Sequence, residues 1–371
     1  MPHSLFDRTR LEIKSLRERK NSILLKEDSI QTEPLLREIT DDVRDIVKEC
    51  AGRIRVAREN KRSVILAFGA HTIKNGLTPV MISLMKEGWI THFATNGAGI
   101  IHDWEFAYQG ATGENVKENV AKGQFGIWDE TGFFINLAII AGAYSGLGYG
   151  ESVGMMIHEE GIDIPDKGLL TEMAVELAGD DPEKAAAALD LAAILKSYNL
   201  KPGFLKIPHP FRSHSVQGTA YALNIPFTGH PMIGHDIIYN HPANSGAAIG
   251  RTALRDFLSF TRSVSNLENG VYMSVGSAIM SPMIFEKALS MAQNIMIRNN
   301  LHIDNHYILV ADLARSEWDW RGNSEPPPDN PAYYLRYNKT FSRMGGEMRY
   351  ITIDNRDFLH LLYRDLSNPA N

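Results

Sequence analysis

A repeated succession of apolar run, small-residue turn and helically spaced segment constrains the fold of this chain more than any other feature. The run SVILAFGAH (63–71) is rich in apolar residues and ends at Gly69, and the helically spaced TIKNGLTPVMISLMKEGW that follows closes at Gly88. A second run, ITHFATNGAG (90–99), also ends in small residues and leads into a helical stretch from Asp103. Strands that are apolar throughout are typical of sheets covered on both faces, and their alternation with helices indicates parallel βαβ units.

Four more apolar runs, at 224–229, 270–278, 305–314 and 348–354, bring the number of predicted strands to at least six. Together they predict an α/β fold, with a doubly wound, mostly parallel sheet and helices on both faces. This is a Rossmann-like architecture.

The N-terminal part of the chain differs from the rest. Its first 30 residues are polar and charged without a clear period, whereas apolar residues recur at helical spacing over 32–60. We therefore expect an N-terminal arm and one long helix in 1–60, and a single Rossmann-like domain in 61–371. The pattern at about 110–200 is mostly helical, so we expect a helical insertion there.

Composition and charge exclude several classes of protein. The net charge is −6 and the longest basic block is RERK (17–20), so no extended positive field would attract nucleic acid. Glycines and Asn136 interrupt the apolar segment 133–150, which therefore falls short of the ~20 continuous apolar residues of a membrane span. The single cysteine, Cys50, permits neither an internal disulfide nor a zinc site with several cysteines. Because MPHSLFDRTR lacks the apolar stretch of a signal peptide, we expect a cytoplasmic protein.

Four loops at the ends of predicted strands could bind a ligand. In doubly wound sheets, ligands bind at the carboxyl ends of the strands. The loops 69–76, 95–105, 275–282 and 311–319 combine small and polar residues, and their backbone N–H groups suit a pyrophosphate. The GxGxxG and Walker A spacings are absent, so the pattern is equally compatible with ordinary βα turns.

Five histidines and one aspartate are concentrated within 33 residues: His209, His214, His230, His235, Asp236 and His241. Such a group could form a metal site with open coordination positions. Their spacings fall in Pro/Gly-rich turns and do not align two imidazoles on a helix face. We therefore expect hydrogen bonding to a ligand, or acid–base catalysis near neutral pH, and predict no metal site.

The segment 326–347 surrounds Lys339 with Tyr333, Tyr334 and Tyr337. Aromatic neighbours can desolvate a lysine, which lowers its pKa and frees a neutral amine to attack an imine or carbonyl. The alternative is a solvated Lys339 and tyrosines that only pack the loop onto the protein.

Taken in chain order, these segments resemble the deoxyhypusine synthase family over about residues 60–110 and 220–363. The resemblance implies NAD as cofactor and a homotetramer with sites shared between subunits, and we expect a homo-oligomer, either that tetramer or a dimer. The cofactor-binding positions that it implies are His71, Lys74, Asn96, Gly97, Ala98, Asp103, Gly276, Ser277, Asp354 and Asn355.

The resemblance also implies roles in catalysis and substrate binding. Pro331, Tyr337 and Lys339 match the family's spacing around its catalytic lysine, and Asp236 matches a carboxylate that holds the amine substrate. Combining these matches with the histidine group, we predict three catalytic residues, Lys339, His235 and His102, and four substrate-binding residues, Asp236, Tyr337, Tyr333 and His230.

Two departures from the family pattern alter the expected reaction. Ser281 stands in place of a histidine that assists the family's chemistry, and Tyr333 in place of a substrate-holding glutamate. We therefore do not expect deoxyhypusine synthase activity itself. The sequence predicts an NAD-dependent transferase that acts on an amine or related small molecule, through an oxidised imine or carbonyl that Lys339 captures as a Schiff base.

Three other functions remain open at this point. The first is a plain NAD-dependent oxidoreductase in which Lys339 is only structural. The second is a metal-dependent hydrolase that uses the histidine group, and the third is a nucleotide-binding protein without catalytic activity.

Overall fold

The computed structural model describes residues 3–25, 39–322 and 324–368. The strands are, in chain order, β1 (Ile23–Leu24), β2 (Val64–Phe68), β3 (His92–Thr95), β4 (Ala111–Thr112), β5 (Gly161–Ile164), β6 (Gly203–Lys206), β7 (Phe227–Gly229), β8 (Val271–Val275), β9 (Tyr307–Asp312) and β10 (Glu347–Thr352). The helices are α1 (Asp41–Glu59), α2 (Ala70–Lys74), α3 (Thr78–Lys86), α4 (Gly97–Gln109), α5 (Val116–Ala121), α6 (Asp129–Ser145), α7 (Tyr149–Glu159), α8 (Lys167–Leu177), α9 (Pro182–Ser197), α10 (Val216–Ala222), α11 (Gly246–Val264), α12 (Met280–Arg298), α13 (Arg336–Ser342) and α14 (Asn355–Ser367).

One fully parallel sheet of six strands, in the order β10-β9-β8-β2-β3-β7, forms the centre of the fold. Counted along the chain, these strands follow the spatial order 3-2-1-4-5-6 from β7 to β10, the order that is typical of dinucleotide-binding sheets. The order reverses between β2 and β8, so a crevice opens at the carboxyl ends of these two strands. The predicted α/β, doubly wound fold is confirmed.

Helices cover both faces of the sheet. On one face α1, α3 and α14 bury Val47, Val80 and Phe358 in the same cluster as Leu66 of β2. On the other face α11, α12 and α13 pack in a second cluster that contains Ile65 of β2. Successive residues of β2 therefore face opposite layers, and this explains why the run at 63–71 is apolar throughout.

Three predicted segments differ in detail from the structure. The helix expected over 72–89 is divided into α2 and α3, because Gly76 adopts a positive φ of 73° and ends the first piece. The long helix is present as α1, and the part of that prediction over 32–38 lies outside the described residues. The region 110–200 is mostly helical as expected, and the sequence patterns missed the antiparallel pairing of β5 with β6.

The N-terminal arm is packed against the rest of the protein. Arg8 donates to the carbonyl of Tyr239 over 2.8 Å, and the N–H of Lys14 donates to the carbonyl of Ile127 over 3.3 Å. Further along, β1 pairs with β4 and places Ile23 opposite Thr112.

In the described part of the chain, no single helix has both the length and the apolar composition to cross a membrane. Helices α6 and α7 satisfy that test only as a pair, with a bend of 109° between them, and most of their residues are buried within the protein.

Candidate functional site

The turns after β2 and β8 meet at the point where the strand order reverses. The N–H of Gly69 donates to the carbonyl of Val275 over 3.0 Å, and a Cβ on Gly69 would lie 2.1 Å from the carbonyl oxygen of Gly276. Only glycine fits at position 69. Gly276 has a positive φ of 57°, is exposed, and would meet no other atom within 4 Å if it carried a Cβ. The crevice therefore leaves open space beside its backbone.

A small cleft of about 200 Å³ lies next to the first turns of α4, the helix that follows β3; we call it the α4 cleft. Five residues singled out from the sequence line it: Lys74, Ala98, His102, His235 and Asp236. It is also lined by Arg19, Ile101, Glu105, Gly113, Glu114, Val116, Phe125 and Ile237. The cleft is smaller than the pockets that hold drug-sized ligands, so it suits a small molecule.

His102 has a hydrogen-bonded partner that fixes its tautomer. Thr112 has one hydroxyl proton, which it donates to Oε2 of Glu105 over 2.5 Å. The Thr112 oxygen lies 2.7 Å from Nδ1 of His102 and so accepts the proton on that nitrogen. Because a neutral imidazole carries one ring proton, Nε2 of His102 is left as the basic nitrogen.

The charge of His102 follows from its surroundings. Burial lowers the pKa of His102 to about 4; the Glu105 carboxylate opposes this shift, and the nearby cations Lys74 and Arg19 add to it. The imidazole is therefore neutral at physiological pH. A neutral ring with an oriented, unprotonated nitrogen can act as a general base.

Glu105, behind His102, is the centre of a buried network. Its carboxylate accepts from both terminal nitrogens of Arg19, each over 2.7 Å, and from Thr131 over 3.0 Å. The side chains of Arg19 and Glu105 are 2% and 1% exposed, so water does not screen the pair. Burial raises the pKa of Glu105, but Arg19 and its hydrogen-bond donors more than offset this, so the pKa lies below its usual value.

Asp236 differs from Glu105 in that its pKa is raised. Its carboxyl group lies against the start of α4, so close that a Cβ on Gly97 would be 2.1 Å from Oδ2. Oδ2 is buried and has no hydrogen-bond partner among the described residues. Burial raises the pKa of Asp236 to about 7. A carboxyl that titrates near neutral pH can exchange a proton or bind a cationic group.

Two predicted cofactor residues of the first turn lie near the α4 cleft. Lys74 lines it, and His71 is exposed at the surface close enough to lower the pKa of His102. Burial lowers the pKa of His71 itself, and Lys74 adds to this effect.

Other predicted cofactor positions have structural partners in the turns. Asn96 caps α4 by accepting from the N–H of Gly99 over 2.9 Å. After β10, Asn355 accepts from the side chain of Asn75 over 2.8 Å, and Asp354 caps α14. Ser277, which is nearly buried, accepts from the N–H of Ser281 over 3.2 Å.

Asp103 does not face the cleft, contrary to the expected cofactor contact. Its carboxylate is fully buried and accepts from the hydroxyl of Ser215 over 2.6 Å and from the N–H of Val216 over 2.9 Å. It thereby binds the first turn of α10. The preceding residue, His102, points toward the cleft, because residues one apart on a helix face different directions.

Lys339 is not among the residues that line the cleft. Its ammonium lies 3.5 Å from the ring centre of Tyr333 and 3.4 Å from a carboxylate oxygen of Glu325. The Lys339 side chain is therefore occupied by an aromatic ring and a carboxylate in its own segment of the chain. Tyr337 packs nearby against Tyr350 of β10, and the two hydroxyl oxygens are 3.5 Å apart.

The histidines of 209–241 do not converge. His209 is packed among aromatic rings, His241 contacts Asp129 over 3.2 Å, and His235 is exposed at the cleft. His230 is buried on the α11 face of the sheet and contacts Thr228 over 2.9 Å, so it does not reach the α4 cleft. Within 3–25, 39–322 and 324–368, no three His, Cys, Asp or Glu side chains are grouped to hold a metal ion.

A larger cavity, of about 650 Å³, lies along the edge strand β7. Most of its charged groups are used within the protein. Arg255 donates to the carbonyl of Ala143 over 2.9 Å, and Asp256 accepts from the N–H groups of Gly150 and Gly229 over 2.8 and 2.6 Å. We therefore place the chemistry in the smaller cleft, which is lined by the oriented imidazole of His102 and by Asp236.

Sequence reasoning missed Arg19, Glu105 and Thr112. Glu105 follows His102 by three residues on α4, and this spacing places the two side chains on one helix face. That pattern could have indicated Glu105. The pairing with Arg19 joins residues 86 positions apart and has no local signal.

Comparison with known proteins assigns no family to the chain. No protein-family model matches it, and no curated protein does. Among solved structures, it is similar to ArgZ, an arginine dihydrolase from the ornithine–ammonia cycle in cyanobacteria, with 15% identity and a TM-score of 0.45, over 90% of this chain and 34% of that one. It is also similar to AgrE in complex with ornithine and NAD+ (13% identity, TM-score 0.44, 90% of this chain and 34% of that one).

A third similar structure is a putative LOR/SDH protein from Methanococcus maripaludis, with 13% identity and a TM-score of 0.43, over 92% of this chain and 74% of that one. The chain spans about a third of the length of ArgZ and AgrE. Similarity at this level does not assign an activity. These three structures are not deoxyhypusine synthases, so the resemblance inferred from the motifs remains a prediction.

Proposed function

We propose that this chain is an NAD-dependent oxidoreductase that acts on a small molecule bearing an amine or a hydroxyl group. The observation that supports this most is the α4 cleft, where the oriented, neutral His102 and the titratable Asp236 lie near the carboxyl end of β3, a neighbour of β2 in a dinucleotide-type sheet. Paired groups whose surroundings drive their pKa values apart are typical of acid–base sites.

The residues at the crevice fit a dinucleotide. Gly69 permits the turns after β2 and β8 to touch, and the space beside Gly276 would be filled by a side chain at that position. These two turns, with Ser277, would hold the phosphates through backbone N–H groups, and Asn355 would lie at the same edge of the sheet. A bound nicotinamide would accept a hydride from the substrate carbon.

The chain's own residues would supply binding and proton transfer. Nε2 of His102 accepts the proton of the substrate's amine or hydroxyl group as the carbon is oxidised. Thr112 and the Glu105 carboxylate then stabilise the imidazolium that forms. Ionised Asp236, whose side chain lines the cleft, would hold an amine substrate in place by its charge.

Covalent capture by Lys339 is the more specific reaction implied by the family resemblance. It requires a neutral amine at the reacting carbon, whereas the ammonium of Lys339 is paired with Glu325 outside the α4 cleft. We therefore propose the simple oxidoreductase, in which Lys339 is structural. A cytoplasmic location and a homo-oligomer remain predictions, and light scattering would test the latter.

Calorimetric titration of the purified protein with NAD+ tests the cofactor. We expect saturable binding with one site per chain, and no binding at millimolar NAD+ would refute the proposal. Turnover is then measured as reduced nicotinamide absorbance with a panel of small amines and alcohols. His102→Gln is the matched variant, because it should bind NAD+ as the wild type does and lose turnover.

A further inference from the structure

We propose that Arg19, on the N-terminal arm, is a positioning residue that determines which nitrogen of His102 carries the proton. It acts through Glu105 and Thr112, and it does not touch the substrate. The catalytic meaning of this inference rests on the proposed role of His102 as a base, whereas the proton position can be measured without any activity.

The direction of the hydrogen bonds depends on the charge of Glu105. As a carboxylate it can only accept, so it takes the single proton of Thr112, whose oxygen must then accept from Nδ1 of His102. As a neutral acid, Glu105 would donate to Thr112. Thr112 would then donate to Nδ1, and the ring proton of His102 would move to Nε2. The base that faces the cleft would become a donor.

Arg19 is the cation that keeps Glu105 ionised. Its two terminal nitrogens lie 2.7 Å from the two carboxylate oxygens, and the pair is shielded from water. Its Nε donates to Asn21 of the same arm over 2.8 Å, which fixes the plane of the guanidinium. Lys74 and His71 also face this group of residues, but neither is paired with the Glu105 carboxylate in the hydrogen bonds or ion pairs of the described residues.

The arm also holds the strand that carries Thr112. Ile23 of β1 pairs with Thr112 of β4, and the N–H of Ser22 donates to the carbonyl of Gly113 over 3.0 Å. The same segment thus supplies the charge for Glu105 and positions the hydroxyl between Glu105 and His102. The arm is therefore part of the site, although the sequence predicted only a polar extension.

The test is ¹⁵N NMR of the full-length protein labelled at histidine, with the His102 signals assigned by their loss in His102→Gln. In the wild type we expect a protonated, pyrrole-type Nδ1 and an unprotonated, pyridine-type Nε2. Arg19→Lys keeps the positive charge and should keep this pattern. Arg19→Met should exchange the two signals, because the buried Glu105 then takes up a proton.

Arg19→Met leaves a buried charge without a partner, so its folding is not assured. The double variant Arg19→Met/Glu105→Leu removes both charges and fills the same space. Among the described residues, Nδ1 of His102 is then the remaining side-chain acceptor for the Thr112 hydroxyl, so this variant should also show the exchanged signals. A wild-type pattern in the double variant, a protonated Nε2 in the wild type, or an exchange in Arg19→Lys would each overturn the inference. Failure of the wild type to bind NAD+ would instead overturn the proposed function and leave the proton position unaffected.

Discussion

Replacing Asp236 by asparagine should stabilise the protein at alkaline pH and have little effect at acidic pH. In the folded protein, burial raises the pKa of Asp236 from 3.8 to about 7. The folded state therefore holds its proton more tightly than the unfolded state does. The stability associated with this proton is fully present below about pH 4 and is lost as the pH rises through about 7.

The size of the effect follows from the two pKa values. Each unit of difference is worth about 1.4 kcal/mol, which gives a ceiling of roughly 4 kcal/mol at about pH 8. The Asp236 side chain lies at the wall of the cleft and is only partly buried, so solvent reduces this value, and we expect a gain of about 2 kcal/mol. At about pH 4.5 the carboxyl is mostly protonated in the folded protein, so the asparagine should be nearly equivalent to it.

Urea denaturation of the wild type and Asp236→Asn at both pH values measures the difference. Asp163→Asn, on an exposed position of β5, controls for the loss of one formal charge and should change the free energy of unfolding by less than about 0.5 kcal/mol. A gain for Asp236→Asn that is equal at both pH values would refute the account. So would a destabilisation at about pH 8, because it would mean that the carboxylate has a partner in solution.

Three further predictions concern other parts of the site. Gly69→Ala should lower the free energy of unfolding by about 3 kcal/mol, because its Cβ would meet backbone at 2.1 Å. The control Gly52→Ala, with open space in α1, should raise it by about 0.5–1 kcal/mol, and equal effects in urea denaturation would contradict the close approach. His102→Gln should reduce kcat roughly 10²–10⁴-fold without changing the calorimetric affinity for NAD+, and full turnover would remove His102 from the mechanism. Lys339→Met should leave turnover within about twofold and cost about 1 kcal/mol of stability through lost contact with Tyr333, whereas loss of turnover would favour covalent capture.

The strands of the sheet could be predicted because their signal is local. A strand buried on both faces needs apolar residues at every position, so runs such as VILAF in β2 are visible in the sequence alone. The division of the second helical segment was less visible, since a single glycine at 76 ends α2 within a helical pattern. The pairing of β5 with β6 was missed because Gly203–Lys206 is largely exposed and lacks an apolar run.

Half of the α4 cleft could be predicted from topology. His102 and Lys74 follow neighbouring parallel strands, whose carboxyl ends meet at one edge, so their proximity follows from the strand order. Arg19 could not be predicted, because its bond to Glu105 depends on how the arm folds back across the domain. For Lys339, the aromatic surroundings were correctly indicated, but the carboxylate of Glu325 that accompanies them had no recognisable spacing.

The division of acid and base roles in the α4 cleft follows from the different hydrogen-bond donors that surround two carboxyl groups, Glu105 and Asp236. Glu105 is more deeply buried than Asp236, yet it remains ionised because Arg19, Thr112 and Thr131 direct donors at it. No described residue directs such a donor at Oδ2 of Asp236, so burial determines its state and its proton is held until about pH 7. The negative charge of Glu105 acts on His102 through Thr112: it keeps the ring proton on Nδ1 and stabilises the imidazolium. The Asp236 carboxyl, which titrates near neutral pH, is available to a ligand. A bound cationic amine would supply the charged partner that Asp236 lacks among the described residues.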